Sequence, residues 1–294
     1  MGSEHSKNSY NSSDMHSENK NKLKNTIKLV TYNIKTNSFS ENKFENILMY
    51  LTYETKNIIY CIQGLYDDTF RIKLYESLKD YNKYFSDNCI IPSKTNENIN
   101  INQIGLFYIS TYPIINYNVH IFDKSDNKLL NSLDKYNKGI LTINTLIHDH
   151  IVSIYNAALQ NDIPHIIHCN EIRSKQITKM FDIINNNIKN INSIKDHQHS
   201  NIHIIIGSLY DPIIDNKIID SIDINPILKS SNNHKKQYEY IYFYLHNYNN
   251  NIKEDILEYV KKLNIEVIDA KINTNVTYTE NQPYEMIFKL AKKN

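Results

Sequence analysis

The sequence predicts an α/β fold, and three features point to it. Short apolar runs rich in Ile, Val and Tyr recur between Ile27 and Leu290, as strands buried in a sheet do. Segments with apolar residues at helical spacing separate several of them. The hydrophobic share of 40%, with 11% aromatics, is enough to build a packed core and lies outside the range in which chains stay unfolded.

The first 25 residues are almost wholly Ser, Asn, Lys, Glu and His and carry too little apolar area to offset the entropy of ordering. They predict a flexible arm over 1–25, followed by a single domain over 26–294. Met1-Gly2-Ser3-Glu4-His5-Ser6 fits the pattern in which Gly2 accepts a myristoyl group, and a cloning scar is the other reading of Met1-Gly2-Ser3. One acyl chain needs a second signal for stable anchoring; Lys20, Lys22, Lys24 and Lys28 are candidates.

Within the domain, Ile27 to Ile34 reads as the first strand, by its alternation and β-branched content. Phe44, Ile47, Leu48 and Leu51 recur at i, i+3, i+4 and i+7 and predict a helix before a strand at Asn57 to Ile62. A second helix is expected over Thr69 to Leu78. Further strands are expected at Gln103 to Ser110, Ile114 to Ile121, Gly139 to Ile147, Ile151 to Asn156 and Ile202 to Ile206. Ile177, Met180, Phe181 and Ile184 mark a helix over Arg173 to Ile188, and Tyr238 to Leu245 and Tyr284 to Leu290 read as closing strands.

Composition narrows function. With 33 basic and 32 acidic residues the net charge is +1, which argues against a nucleic-acid partner. Cys61, Cys89 and Cys169 form no CxxC or Cys/His ligand spacing, and an odd number cannot pair fully within one chain, so reduced thiols and a cytoplasmic location are expected. No apolar run approaches the ~18 residues that span a bilayer. Asp196-His197-Gln198-His199 and His148-Asp149-His150 read as polar loops rather than metal ligands.

Seven short segments, in order, carry a resemblance to a known family. They are Thr31-Tyr32-Asn33-Ile34; Ile62-Gln63-Gly64-Leu65; Ile104-Gly105-Leu106-Phe107-Tyr108-Ile109-Ser110 with Pro113-Ile114; Asn156-Ala157-Ala158-Leu159-Gln160, preceded by Asn137-Lys138-Gly139 and followed by Arg173-Ser174-Lys175-Gln176; Ile206-Gly207-Ser208-Leu209-Tyr210; Tyr238-Glu239-Tyr240-Ile241; and Thr279-Glu280-Asn281-Gln282-Pro283. This series resembles the endonuclease/exonuclease/phosphatase superfamily, closest to its neutral sphingomyelinase branch. The resemblance implies two stacked mixed β-sheets flanked by helices, a four-layer sandwich with a site at one rim.

It also implies a metal-dependent phosphodiesterase site, which needs a carboxylate-held cation and a general base. Position by position the required groups are missing. Gly64 stands where the family carries the metal-binding Glu, Ala158 where it carries a His, Ser208 and Tyr210 where it carries an Asp and an Asn, and Asn281 where it carries the His base. Glycine coordinates nothing, an Ala methyl donates no hydrogen bond, and Asn does not cycle a proton near neutral pH. Asn33, Lys138, Glu239 and Glu280 remain as vestiges. With the metal absent, Asn33 is expected to satisfy backbone groups at a strand end.

The expected function is therefore a catalytically inactive phosphodiesterase-fold protein, a structural or interaction scaffold tethered through its arm to the cytosolic face of a membrane, with no cofactor. The alternative is a diverged Mg²⁺-dependent sphingomyelinase-like or phosphoinositide phosphodiesterase whose ligands are displaced along the chain. Neither reading identifies a protein partner.

Overall fold

The computed structural model describes residues 26–36, 38–81, 83–85, 104–123, 136–148, 150–161, 169–192, 201–209, 224–225, 239–244, 265–272 and 283–290. The strands are β1 (Thr26–Thr36), β2 (Ile58–Leu65), β3 (Tyr84–Phe85), β4 (Phe107–Ser110), β5 (Ile114–Ile121), β6 (Gly139–Ile147), β7 (His150–Ala158), β8 (Asn201–Ser208), β9 (Ile224–Asn225), β10 (Glu239–Tyr244), β11 (Ile265–Ile272) and β12 (Tyr284–Leu290). The helices are α1 (Glu41–Tyr53), α2 (Asp68–Leu78) and α3 (Cys169–Asn192). One six-stranded sheet has the order β11-β12-β1-β2-β4-β3, the other β5-β6-β7-β8-β10-β9. Both are mixed, with β1 and β2 parallel in the first and β7 and β8 parallel in the second.

Side-chain alternation explains how the layers stack. Ile27 and Leu29 of β1, Ile59 and Cys61 of β2, Val152 and Ile154 of β7, and Ile202, Ile204 and Ile206 of β8 meet in one core between the two sheets. The opposite parity of the first sheet, Val30, Tyr32, Ile34, Ile58, Tyr60 and Ile62, packs against Phe44, Ile47 and Leu51 of α1 and Phe70, Leu74 and Leu78 of α2. On the far side Tyr155, Ala157 and Ile205 meet Ile177, Met180, Phe181 and Ile184 of α3. Helices, sheet, sheet and helix thus form four layers. The runs read as continuous apolar because both faces of these strands are covered.

Several elements depart from the sequence reading, the unexpected two-residue strands β3 and β9 among them. The fourth strand begins at Phe107 rather than Gln103, because Gly105 has φ +62° and Ile104 to Leu106 turn before the ladder starts. A strand not expected at all, β11, occupies Ile265–Ile272 at the edge of the first sheet. Glu266, Asp269 and Lys271 interrupt its apolar pattern, and a bulge between Val267 and Asp269 shifts its parity.

Several polar groups inside these layers are matched. Glu285 of β12 is buried and accepts from Tyr50 Oη at 2.7 Å, while Lys28 Nζ lies 3.0 Å from it and 2.6 Å from Glu54. Between the sheets, Gln63 Nε2 donates to Asn156 Oδ1 at 2.7 Å and to the Cys61 carbonyl at 2.9 Å, and Gln63 Oε1 accepts from Thr31 Oγ1 at 3.1 Å. Asn156 Nδ2 donates to the carbonyls of Ile62 (3.1 Å) and Phe107 (3.2 Å). Both amides are fully buried, and these five bonds use every amide hydrogen of the pair.

Removing one member leaves the other stranded in a site without water, at a cost of roughly 1–3 kcal/mol. Asn156→Ala and Gln63→Ala should therefore each lower the urea midpoint. The double variant should lose clearly less than the sum of the two, because the second change removes a group already orphaned.

Candidate functional site

The strand register brings most of the seven segments to one end of the sandwich. Parallel β1 and β2 end there at Thr36 and Leu65, and Asn33 is opposite Gln63. β4 and β12 enter there, with Phe107 opposite Ile62 and Tyr284 opposite Thr31. In the second sheet Gly139 is opposite Ala158, Ala158 opposite Ser208, and Ser208 opposite Glu239. Asn33, Gly64, Lys138, Ala158, Ser208 and the Glu239 backbone thus share one rim, although up to 206 positions of sequence separate them (33 to 239). Tyr210, Glu280 and Asn281 lie outside the described residues.

Along each strand the inward face turns polar toward this rim. β1 runs Ile27, Leu29, Thr31, Asn33; β2 runs Ile59, Cys61, Gln63; β7 runs Val152, Ile154, Asn156; β8 ends Ile204, Ile206, Ser208. Asn33 Nδ2 donates to Ser208 Oγ at 2.9 Å, so the first sheet is tied directly to the second across the rim. Both side chains are buried. The Asn33 amide thus reaches across the two sheets, a contact the sequence reading did not include.

Gly64 sits at the centre of this arrangement with φ +71°. A Cβ built there would stand 2.5 Å from Asn33 Oδ1 and 2.8 Å from the Lys35 backbone nitrogen. The backbone at this position is in the left-handed region, and the space a side chain would enter is already taken. Gly207, just before Ser208, has φ +131°, and a Cβ there would reach within 2.1 Å of the Ala157 carbonyl oxygen. Close approach of β7 and β8 at the rim depends on it.

Around the rim the other groups have structural partners. The Tyr66 and Tyr136 rings stack at 3.8 Å and 10°, and Lys138 Nζ lies 5.9 Å from the Tyr66 centroid. Ala158 is buried. Arg173, fully buried at the start of α3, donates to the Gln160 carbonyl at 2.8 Å and bonds Asn170, while Gln176 Oε1 accepts from the Gln160 backbone N–H at 2.8 Å. The Arg-x-x-Gln pair therefore fixes the chain leaving β7. Burial, with the Asp269 carboxylate adding to it, pushes the Tyr284 phenol up to about 12, so it stays protonated at neutral pH.

Among the described residues no group of three or more His, Cys, Asp or Glu converges as metal ligands would. His150 is buried while His148 occupies an exposed turn at φ +52°. The described part of the rim presents no carboxylate side chain to a divalent cation. Asn33 and Ser208 are engaged with each other there, and position 64 has no room for a carboxylate.

No family sequence model and no curated protein sequence matches the chain. Solved structures do. Beta toxin from Staphylococcus aureus superposes with a TM-score of 0.59 at 14% identity, over 88% of this chain and 99% of the toxin. Sphingomyelinase C from Streptomyces griseocarneus gives 0.54 at 12% identity, over 89% and 98%. An endonuclease/exonuclease/phosphatase from Beutenbergia cavernae gives 0.53 at 10% identity, over 91% and 72%.

The chain has the endonuclease/exonuclease/phosphatase fold. ANGEL2, a 2′,3′-cyclic phosphatase, shares this fold at a TM-score of 0.55 and 9% identity. The fold is legible in the order of the motifs, and residues singled out in the sequence lie at the rim. The bonded set of Thr31, Gln63 and Asn156 is not read from the motifs. Their signal is a polar residue at an inward position of an otherwise apolar strand.

The geometry at position 64 sets a direct test. Gly64→Ala should destabilise the protein by at least about 1–2 kcal/mol from the left-handed backbone alone, with the contact to Asn33 adding to this. Chemical denaturation of the variant beside Ser208→Ala, which removes the hydroxyl that accepts from Asn33, separates the backbone effect from the side-chain effect.

Proposed function

We propose that the chain is a non-catalytic protein on the endonuclease/exonuclease/phosphatase fold, serving as a structural or interaction scaffold. The observation that carries this reading is at Gly64. Hydrolysis of a phosphodiester by the route the resemblance implies starts from a carboxylate at that position, and the backbone there accepts no side chain. The hydrogen bond between Asn33 and Ser208 supports the same reading, since it joins two side chains that a working rim would turn toward a metal and a phosphate. Ala158 adds an apolar methyl where a donor to the phosphate is expected.

The second reading, a diverged Mg²⁺-dependent phosphodiesterase, draws on the likeness to the sphingomyelinase structures. The two separate in one set of samples. An ion that binds only the folded state adds about 2.7 kcal/mol at 100-fold excess over its Kd, so a working site raises the melting temperature in millimolar Mg²⁺, Mn²⁺ or Ca²⁺. The scaffold reading expects no shift, and no hydrolysis of labelled sphingomyelin or of a phosphoinositide head group. A shift with turnover assigns the chain to the enzymes.

Location belongs to the same proposal. Among the described residues no helix is long and apolar enough to cross a membrane. The scaffold would be cytoplasmic and held to the cytosolic face of a membrane through an acyl group on Gly2, assisted by the arm's lysines; residues 1–25 lie outside those described. Alkynyl-myristate labelling in cells should mark the wild type and not Gly2→Ala. Equal labelling of the two removes the tether.

A further inference from the structure

The four sheet edges are not alike. β3 and β9 are two residues each, too short to template another strand. β11 is eight residues long but carries Glu266, Asp269 and Lys271 and a bulge, the devices by which natural edges resist pairing. β5 is also eight residues long, pairs only with β6 among the described residues, and contains no Asp, Glu, Lys or Arg. Its one irregularity, a bulge between Ile114 and Asn116, lies at its start and leaves Asn116 to Ile121 regular.

We propose that β5 is the interface of a two-fold homodimer, in which the β5 strands of two copies pair antiparallel about Asn118. Side-chain parity permits this register. Tyr117, Val119 and Ile121 pack inward against the core between the sheets, whereas Asn116 and Asn118 are exposed on the other face. Antiparallel pairing must set inward residues opposite inward ones, or each strand would turn its apolar face to water. A two-fold axis through Asn118 does so. It places Tyr117 opposite the second copy's Val119 twice, Asn116 opposite its His120 twice, and Asn118 opposite itself.

This register brings no like charges together. It creates two aromatic to β-branched pairs of the kind that stabilise sheets, and the outward face sets Asn118 against its copy and each Asn116, whose Oδ1 accepts from Asn144, against a His120 imidazole. The strand is thus complementary to itself, as an isologous interface requires. Two further observations favour cover at this edge. Ile115, the bulged residue, is 51% exposed, and Tyr84 is 47% exposed on the neighbouring edge. Between them opens a groove of about 660 Å³ with Ile114, Ile115 and Tyr117 along one wall and Tyr84 and Phe85 along the other. A strand added to β5 shields that wall. The two six-stranded sheets would then run on as one across both copies.

The test uses the full chain and the position on the axis. Sedimentation or light scattering from micromolar to hundred-micromolar concentration should show a species of twice the 34.7 kDa chain mass. Asn118→Lys and Asn118→Asp each place like charges face to face on an exposed site, and each should sediment as a monomer with an unchanged melting temperature at low concentration. Mixed one to one, the two variants should recover the dimer, since the ammonium introduced in one copy then faces the carboxylate introduced in the other. Asn116→Lys, which sets a charge against His120, should weaken the dimer at least tenfold. A wild type that stays monomeric throughout overturns the proposal. So does a dimer that survives Asn118→Lys, or a mixture that fails to recover.

Discussion

The buried hydrogen bond between Gln63 and Asn156 is the constraint on which the upper half of the sandwich depends. Two sheets that meet through apolar side chains can slide without much penalty, since the hydrophobic effect has no direction. An amide pair buried between them cannot. Gln63 and Asn156 hold β2 and β7 at one relative position, and Asn156 also binds the carbonyls of Ile62 and Phe107. Any sliding would strand several polar groups in a dry interior, each at a cost comparable to the loss of a core methylene or more. The apolar lower half supplies cohesion, and this polar seam supplies register.

From that seam outward the rim is determined step by step. With β1 and β2 fixed to β7 and β8, Asn33 faces Ser208 and completes a second bond between the sheets. Asn33 Oδ1 then fills the volume beside position 64, and the chain there takes a left-handed turn that suits glycine. These changes are physically coupled. A larger residue at 64 would push on Asn33, which would pull on Ser208, so a change at 64 is felt at all three. Restoring a carboxylate at 64 would therefore require the local backbone of β2 to move, in addition to the side chain.

Much of this was legible in the sequence. Elements with a strong period and good length, such as α1, α3, β5 and β12, fall close to where the spacing of Phe44, Ile177, Ile114 and Tyr284 puts them. The fold was readable from the order of seven segments, although identity with the superposed structures is only 9–14%. β11 was hidden for a physical reason: it is an edge strand, so charges at 266, 269 and 271 are tolerated and break the apolar run. The bond from Asn33 to Ser208 joins residues 175 apart and depends on the depth at which two sheets stack, which no local pattern encodes.

The polarity gradient of the inward faces links the rim to the question of function. In β1, β2 and β8 the inward residues nearest the rim depart from aliphatic chemistry, and in β7 Asn156 does so one inward position before Ala158. A chain under no constraint but stability could replace Thr31, Gln63 and Asn156 with aliphatic groups, because a satisfied buried polar set is often no more stable than a packed apolar one of the same volume. What such a set supplies is a single alignment of the two sheets at the end where loops emerge. For an enzyme of this fold that alignment would position ligands around a cation. In this chain it holds Asn33 against Ser208 beside the left-handed backbone of Gly64.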